Sequence, residues 1–522
     1  MSGVARRRHA ALALCLAGMS ACAGPGERET PTAPQAPRVP EATAISPEDP
    51  DALANALASG APRIELLPGV HRPTDTVRVS RSTELFGSRD GGGARLYGRV
   101  IVTSGDVTLR DLQLRSGVAL RFADGVTIET STLTAGGQRD ALNLVQSRAQ
   151  LTDVNLEAGR DSGLFATGST VAWTRGRSMG GLRSVRVDGG RFNGAQLELD
   201  GAQLTGLWAD RRARVTLEAV RVRMSELDGM ALHVTAGARL GGHRLHLETS
   251  GAALVAREAA VELDLLTIRH DGQTPALGVA GATVTVDRAD VTAGPGPFAS
   301  VGPYRSQLGR LRLGDVSVEQ SEGGTGVTVG RGSLVVKRAR FTGRGSAALG
   351  AAEVEAAILA RGPSAKVRIE GFVVQRWPGL GGLFVDDAHV RIETATVADA
   401  AGGFAFENVR VPRARLRDVR VAGCVSDPAF TALSSAMLVQ TATVTDCAPG
   451  GVVAGGRSEV TAEDVHVRGG RFGFGAFDGG RLRVQGGSVR GAAMGAVAGC
   501  LSHARVLLDG TRTSTLPLAR CR

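Results

Sequence analysis

A stretch of about two dozen residues recurs along most of this 522-residue chain, and no other feature restricts its fold so severely. Near the C-terminus the segments VRIETATV (390–397), MLVQTATV (437–444), VTAEDVHV (460–467) and LRVQGGSV (482–489) align, each closing on a Val. With that closing residue as a marker, the series runs Val374, Val397, Val421, Val444, Val467, Val489, Thr513, in steps of 23, 24, 23, 23, 22 and 24. Upstream it continues more loosely through Leu114, Leu133, Leu156, Ser178, Leu204, Val222, Leu247, Ile268, Val291, Val318 and Phe341. A fixed period of this size marks a solenoid. Within VTLRDLQL (107–114) and VTIETSTL (126–133) apolar residues alternate with polar ones at period two, and β-branched residues are frequent, so the repeating segments are strands. Gly, Asp and Ser cluster between them as turns. Each repeat is then two or three short strands that cannot bury an inward face until a neighbour stacks on it. The expected fold is all-β, a parallel β-helix solenoid of about 18 coils spaced about 4.8 Å apart, a rod of roughly 85 Å.

Residues 64–71, IELLPGVH, resemble the first coil of the pectin-lyase-like right-handed β-helix family. The resemblance spans residues 46–522 and concerns the fold, not an active site. It implies right-handed single-stranded coiling and a short amphipathic helix capping the N-terminal end. Ser46, Pro47, Glu48 and Asp49 supply a capping box ahead of Ala52, Leu53, Ala56 and Leu57, which form such a helix. The cap shields the first coil from edge-to-edge pairing. The family includes lyases, hydrolases, epimerases, tailspikes, adhesins and surface lipoproteins, so it names no reaction by itself.

The N-terminus reads as an address. Arg6, Arg7 and Arg8 form a positive region, residues 10–19 are apolar, and Ser20 and Ala21 precede Cys22. The string MSAC resembles the lipobox of bacterial lipoproteins, which implies acylation of Cys22, and Ala23 resembles the residue that follows it in lipoproteins sent to the outer membrane. The expected division is a signal peptide at 1–21, a disordered Pro/Ala-rich linker at 22–50 and the β-helix at 51–522. The expected location is an exported outer-membrane lipoprotein, facing the periplasm or the cell surface, tethered through its N-terminal lipid. Four cysteines remain, and Cys424–Cys447 and Cys500–Cys521 are separated by 23 and 21 residues, close to one repeat. Stacked coils bring each pair within disulfide reach, in an oxidising compartment.

The formal charge is +10, almost entirely from Arg, with Lys337 and Lys366 the only lysines. This favours anionic partners. The Arg residues are scattered rather than clustered, which argues against nucleic acid.

Acidic turns are the best candidates for chemistry: Arg139-Asp140 before ALNL, Arg160-Asp161 before SGLF, Asp228 before Gly229, and Asp271 after His270. Asp140 and Asp161 are 21 residues apart and should stack on neighbouring coils. Two carboxylates held so close can share a proton, hold Ca²⁺, or act as acid and base in glycoside cleavage, with Arg139 and Arg160 beside them. Asp at such positions also starts turns by local hydrogen bonding, the commoner role. Against an enzyme, the paired NxD, GHG and RxK motifs of the polygalacturonase branch are missing. Asn occurs only at Asn55, Asn143, Asn155, Asn193 and Asn408, so no asparagine ladder runs through the core. Trp173 reads as core, whereas Trp208 beside Arg211 and Arg212, and Trp377 in RWPG, are candidates for ligand contact. His243, His246 and Glu248 invite a metal, but positions 243 and 246 of an uninterrupted strand face opposite ways, so no metal site and no cofactor is expected.

Two coils depart from the period, and solenoid insertions commonly emerge as loops on a functional face. Residues 291–318 carry Phe298, Tyr304 and Arg305. Residues 341–374 contain SAALGAAEVEAAILARG, which reads as helical, with Leu349, Val354 and Ile358 on its apolar side. Together these features point to a non-catalytic β-helix that binds or organises polysaccharide or another envelope component, such as a protein. A lyase or hydrolase of acidic polysaccharide, and a structural spacer or adhesin, stand as alternatives.

Overall fold

The stacking that the repeat demands is present in a computed structural model, which describes residues 40–88, 93–137, 139–320, 324–343, 356–377, 381–410, 414–500, 503–514 and 519–520. Short strands pair in parallel with the strand one coil away, in two long ladders called here sheet A and sheet B. The hand is right-handed, as parallel crossovers are. There are about 19 coils, close to the count expected.

The marker residues form one inward column. Leu114, Leu133, Leu156 and Ser178 pair in sequence, and the column continues from Val222 through Val291, Phe341, Val374 and Val444 to Thr513. One marker is corrected. Leu199, not Leu204, pairs with both Ser178 and Val222. Leu199 is 1% exposed and Leu204 is 42% exposed, because Leu199 keeps the alternation of its strand and Leu204 lies beyond the turn at Gly201. Inward residues from Ile45 to Val497 make one continuous apolar core, and each fully buried Leu or Val contributes roughly 1.5–3 kcal/mol.

The cap is built differently from the expected box. The helix Ala52–Ser59 buries Leu53 and Ala56, but Asp49 Oδ1 accepts from Asp51 N at 3.0 Å and Ala52 N at 3.1 Å, while Ser46 reaches only Glu48 N, at 3.4 Å. The strand Thr43–Ile45 pairs with Arg63–Leu66, so the end of the expected linker adds a strand to the first coil. The rest of that linker up to residue 39, the signal segment and Cys22 lie outside the described residues.

Many sheet-A strands bend at a left-handed residue, such as Asp153, Arg175 and Gln196 on successive coils. At the corner leading from sheet B into sheet A, serines do what an asparagine ladder would. Ser147 Oγ accepts from Ala123 N at 3.1 Å and Ser169 Oγ from Ser147 N at 3.1 Å, and Ser435 and Ser458 repeat the pattern far along the rod. A short hydroxyl suffices to satisfy one turn amide per coil.

The insertions also differ from expectation. Within residues 291–318 the extra chain makes a short hairpin tip, with Pro303 opposite Leu308 and Tyr304 opposite Gln307, while Phe298 is fully buried. In the second insertion the strand Ala356–Arg361 replaces the C-terminal part of the expected helix, and Ile358 enters the inward core; Leu349 and Val354 lie outside the described residues. Neighbouring coils complete strand pairing there, which overrides a local Ala-rich preference. The Cys424–Cys447 bridge joins adjacent coils with Cα atoms 4.1 Å apart. Cys521 and the Cys500 side chain lie outside the described residues.

The column assignment is open to test. Leu199→Ala should cost about 2–5 kcal/mol by urea denaturation, and Leu204→Ala less than about 0.5 kcal/mol. Equal losses in the two variants would refute the register.

Candidate functional site

On sheet B the outward positions also stack in register. Asn143, Phe165, Arg186, Trp208 and His233 follow one another on successive coils. Trp208 is half-buried, with the Arg183 and Arg186 guanidiniums 4.7 and 5.0 Å from its ring centre. Arg186 also lies 4.8 Å from the Phe165 ring. His233 stacks on the indole, with centroids 5.3 Å apart and planes at 30°. Such cation–π and ring contacts contribute roughly 0.5–2 kcal/mol each. Arg183 Nε, Arg186 Nε, Trp208 Nε1 and His233 Nε2 have no hydrogen-bond partner among the described residues.

Beside this ladder Asp140 and Asp161 come together, as the spacing predicts. Asp140 Oδ2 accepts from Asn143 Nδ2 at 2.9 Å and Oδ1 from Ser162 N at 3.2 Å. Burial pushes the Asp140 carboxyl above its ordinary range; the Asn143 hydrogen bond opposes this and the Asp161 charge adds to it. Asp161 is ion-paired to Arg183. Asp140 is thus biased toward holding a proton while its neighbour carries a matched charge, an arrangement able to serve acid–base chemistry. Donors occupy both carboxyl groups, which leaves few free oxygens for Ca²⁺.

Several expectations are corrected here. Arg139 and Arg160 are exposed; the guanidinium engaging the pair belongs to Arg183, 22 residues after Asp161, a signal the period held. Trp208 is flanked by Arg183 and Arg186, not by Arg211 and Arg212. Arg211 instead pairs with buried Asp188 at 3.0 Å, and Arg212 is exposed in the same turn. Trp377 is fully buried, because left-handed Arg376 turns the chain inward and sets the indole 5.8 Å from the Phe341 ring centre. Tyr304 and Arg305 sit on the hairpin, where Arg305 lies 5.5 Å from the Tyr304 ring and 3.7 Å from Glu258, apart from the ladder. His243 and His246 both face outward because Arg244 is left-handed, but they bond different carboxylates, Asp264 at 3.0 Å and Glu248 at 2.7 Å. Phe165, Arg186 and His233 escaped sequence reading because they share no motif, only a column.

No protein-family model matches the chain, and no curated protein matches it. Among solved structures it is similar to a PL6 family alginate lyase, AlyGC, at 9% identity over 92% of this chain and 98% of that one, with a TM-score of 0.27. No site residue is assigned from that likeness.

Burial holds the His233 imidazole below the usual histidine range, and the Arg257 charge adds to the shift. Unfolded His233 takes up a proton near about pH 6.5 but the folded residue only at lower pH. Its contribution to stability is therefore full above about pH 6.5 and lost as pH falls through the folded value. Asp140 acts in the opposite sense, contributing fully below about pH 3.9 and losing that contribution as pH rises through its folded value. The thermal midpoint should fall between about pH 7.5 and 5.5, and less steeply in His233→Phe, where His270, shifted the same way by burial, still titrates. Identical slopes in both chains would count against a neutral His233.

Proposed function

We propose that this chain is an exported lipoprotein, acylated at Cys22, that binds polysaccharide along the outer face of sheet B. The observation carrying the reading is the Phe165–Arg186–Trp208–His233 ladder with unpaired polar atoms on three of its members. Flat rings interleaved with guanidiniums suit sugar rings and their hydroxyl or carboxylate groups, and the ladder advances with each coil as a glycan advances with each residue. A second reading, glycan cleavage, draws on Asp140, whose raised carboxyl lies beside Asp161 and Arg183. Acid–base work by a split carboxyl pair would serve either a lyase or a hydrolase.

One panel of neutral and acidic glycans tests both. Trp208→Ala should weaken binding of the best ligand on the order of tenfold without altering the thermal midpoint by more than a few degrees. Unchanged affinity removes sheet B from the binding reading. Products formed by the parent chain but lost in both Asp140→Asn and Asp161→Asn would establish cleavage, and an unreactive parent across the panel would dismiss it. Release of Cys22→Ser from the membrane fraction is the matching check on the anchor.

A further inference from the structure

The two ends of the rod are finished differently. At the N-terminal end the helix Ala52–Ser59 packs on the strands Thr43–Ile45 and Val77–Val79 and buries Leu53 and Ala56. At the C-terminal end the last coil carries the strand Arg505–Asp509, which pairs on one side with Arg481–Gln485 and on the other with no strand among the described residues. Its inward side chains continue two columns of the core, Val506 after Leu482 and Leu508 after Val484. Leu482 and Val484 are at most 1% exposed, whereas Leu508 is 39% exposed and Val506 only half-buried. On the outward side Leu507 is 61% exposed.

The backbone is open at the same place. Arg505 N donates to Gly480 O at 3.0 Å and Asp509 O accepts from Gly486 N at 2.8 Å, so these two residues give their main-chain groups to the preceding coil. Successive residues of a strand turn their N–H and C=O groups to opposite sides, so Val506 and Leu508 aim theirs out of the open end. An apolar strand with such an edge is a template for another strand.

The segment RVLLD (505–509) is its own complement. When it is laid antiparallel on a second copy, with a twofold axis at Leu507, Arg505 faces the partner's Asp509 and Asp509 faces the partner's Arg505. Both residues are exposed and have no ion-pair partner among the described residues. Val506 and Leu508 then face each other twice on the inward side, where their free N–H and C=O groups form the doubly bonded pairs of an antiparallel ladder. Backbone, apolar side chains and charges all select this one register. A slip by one residue turns the apolar set outward, and a slip by two separates both charge pairs.

We infer that two copies of this chain dock end to end through the last coil, their Arg505–Asp509 strands joining two cores into one. A twofold contact uses the same patch on both copies and closes after two. Growth into a fibre needs an open head, which the helix Ala52–Ser59 covers. The inference is independent of the reading given to sheet B.

The test is sedimentation equilibrium of the full-length chain carrying Cys22→Ser, which keeps lipid-driven association out of the readout. This parent should show the mass of two chains. Arg505→Asp or Asp509→Arg alone sets like charges opposite each other twice, and each should raise the dissociation constant on the order of tenfold or more. The double variant, Arg505→Asp with Asp509→Arg, restores opposite charges at both contacts and should return the constant to within about threefold of the parent. The Val506 and Leu508 amides should exchange with deuterium on the order of tenfold more slowly in the parent than in Arg505→Asp. A monomeric parent, a dimer that survives the single reversals, or a double variant as dissociated as the singles would each overturn the proposal. Equal exchange at the two amides would place the contact elsewhere, and mass rising past two chains would show a fibre; either result overturns it as well.

Discussion

Everything in this molecule depends on one coil covering the next. An isolated coil of about two dozen residues has an apolar inner face and unpaired backbone on both edges, and neither is tolerable in water. Stacking solves both together. Inward side chains fill a core continuous from Ile45 to Val497, and backbone amides pair with the coils above and below. The ends are where this logic fails. At the N-terminal end the strand Thr43–Ile45 and the helix Ala52–Ser59 cover what no coil can.

The same stacking dictates how surface chemistry is organised. A side chain pointing outward from one coil stands about 4.8 Å from its equivalents above and below, so function is written in columns. On sheet B this brings Phe165, Arg186, Trp208 and His233 together from four coils. On sheet A it makes ion-pair ladders in one stretch and stacks Arg directly on Arg in another. Exposed pairs such as Arg175–Asp153 contribute little to stability each, because water screens them. Their value lies in cancelling repulsion that in-register stacking would otherwise impose.

Legibility followed this division. The inward column was readable because burial enforces an apolar residue at a fixed phase, and it failed where Leu204 imitated Leu199 five residues late. Asp140 and Asp161 were readable as neighbours because their separation matches one coil. Trp377 misled because exposure was inferred from a Pro-Gly turn, whereas its direction is fixed by the left-handed backbone at Arg376. His243 and His246 misled for the same reason, since one left-handed residue resets the phase of every side chain after it. Outward columns carry no hydrophobic constraint, so Phe165, Arg186 and His233 left no periodic trace.

Those left-handed bends explain why the corners are so chemically varied. A non-Gly residue there costs roughly 1–2 kcal/mol, which Asp and Asn lessen with local hydrogen bonds and Leu265 or Arg244 do not. The strands on either side repay that cost through pairing, so the corner is free to carry whatever side chain its outward position needs. Arg175 bends the chain and also reaches Asp153, itself left-handed on the coil before. Arg244 likewise bends its strand and pairs with Glu218. A glycine at either place would ease the backbone and delete the charge, leaving the opposing carboxylate unanswered. The backbone strain is thus retained in exchange for a charge held in register, which is the condition any ligand track on this rod must also meet.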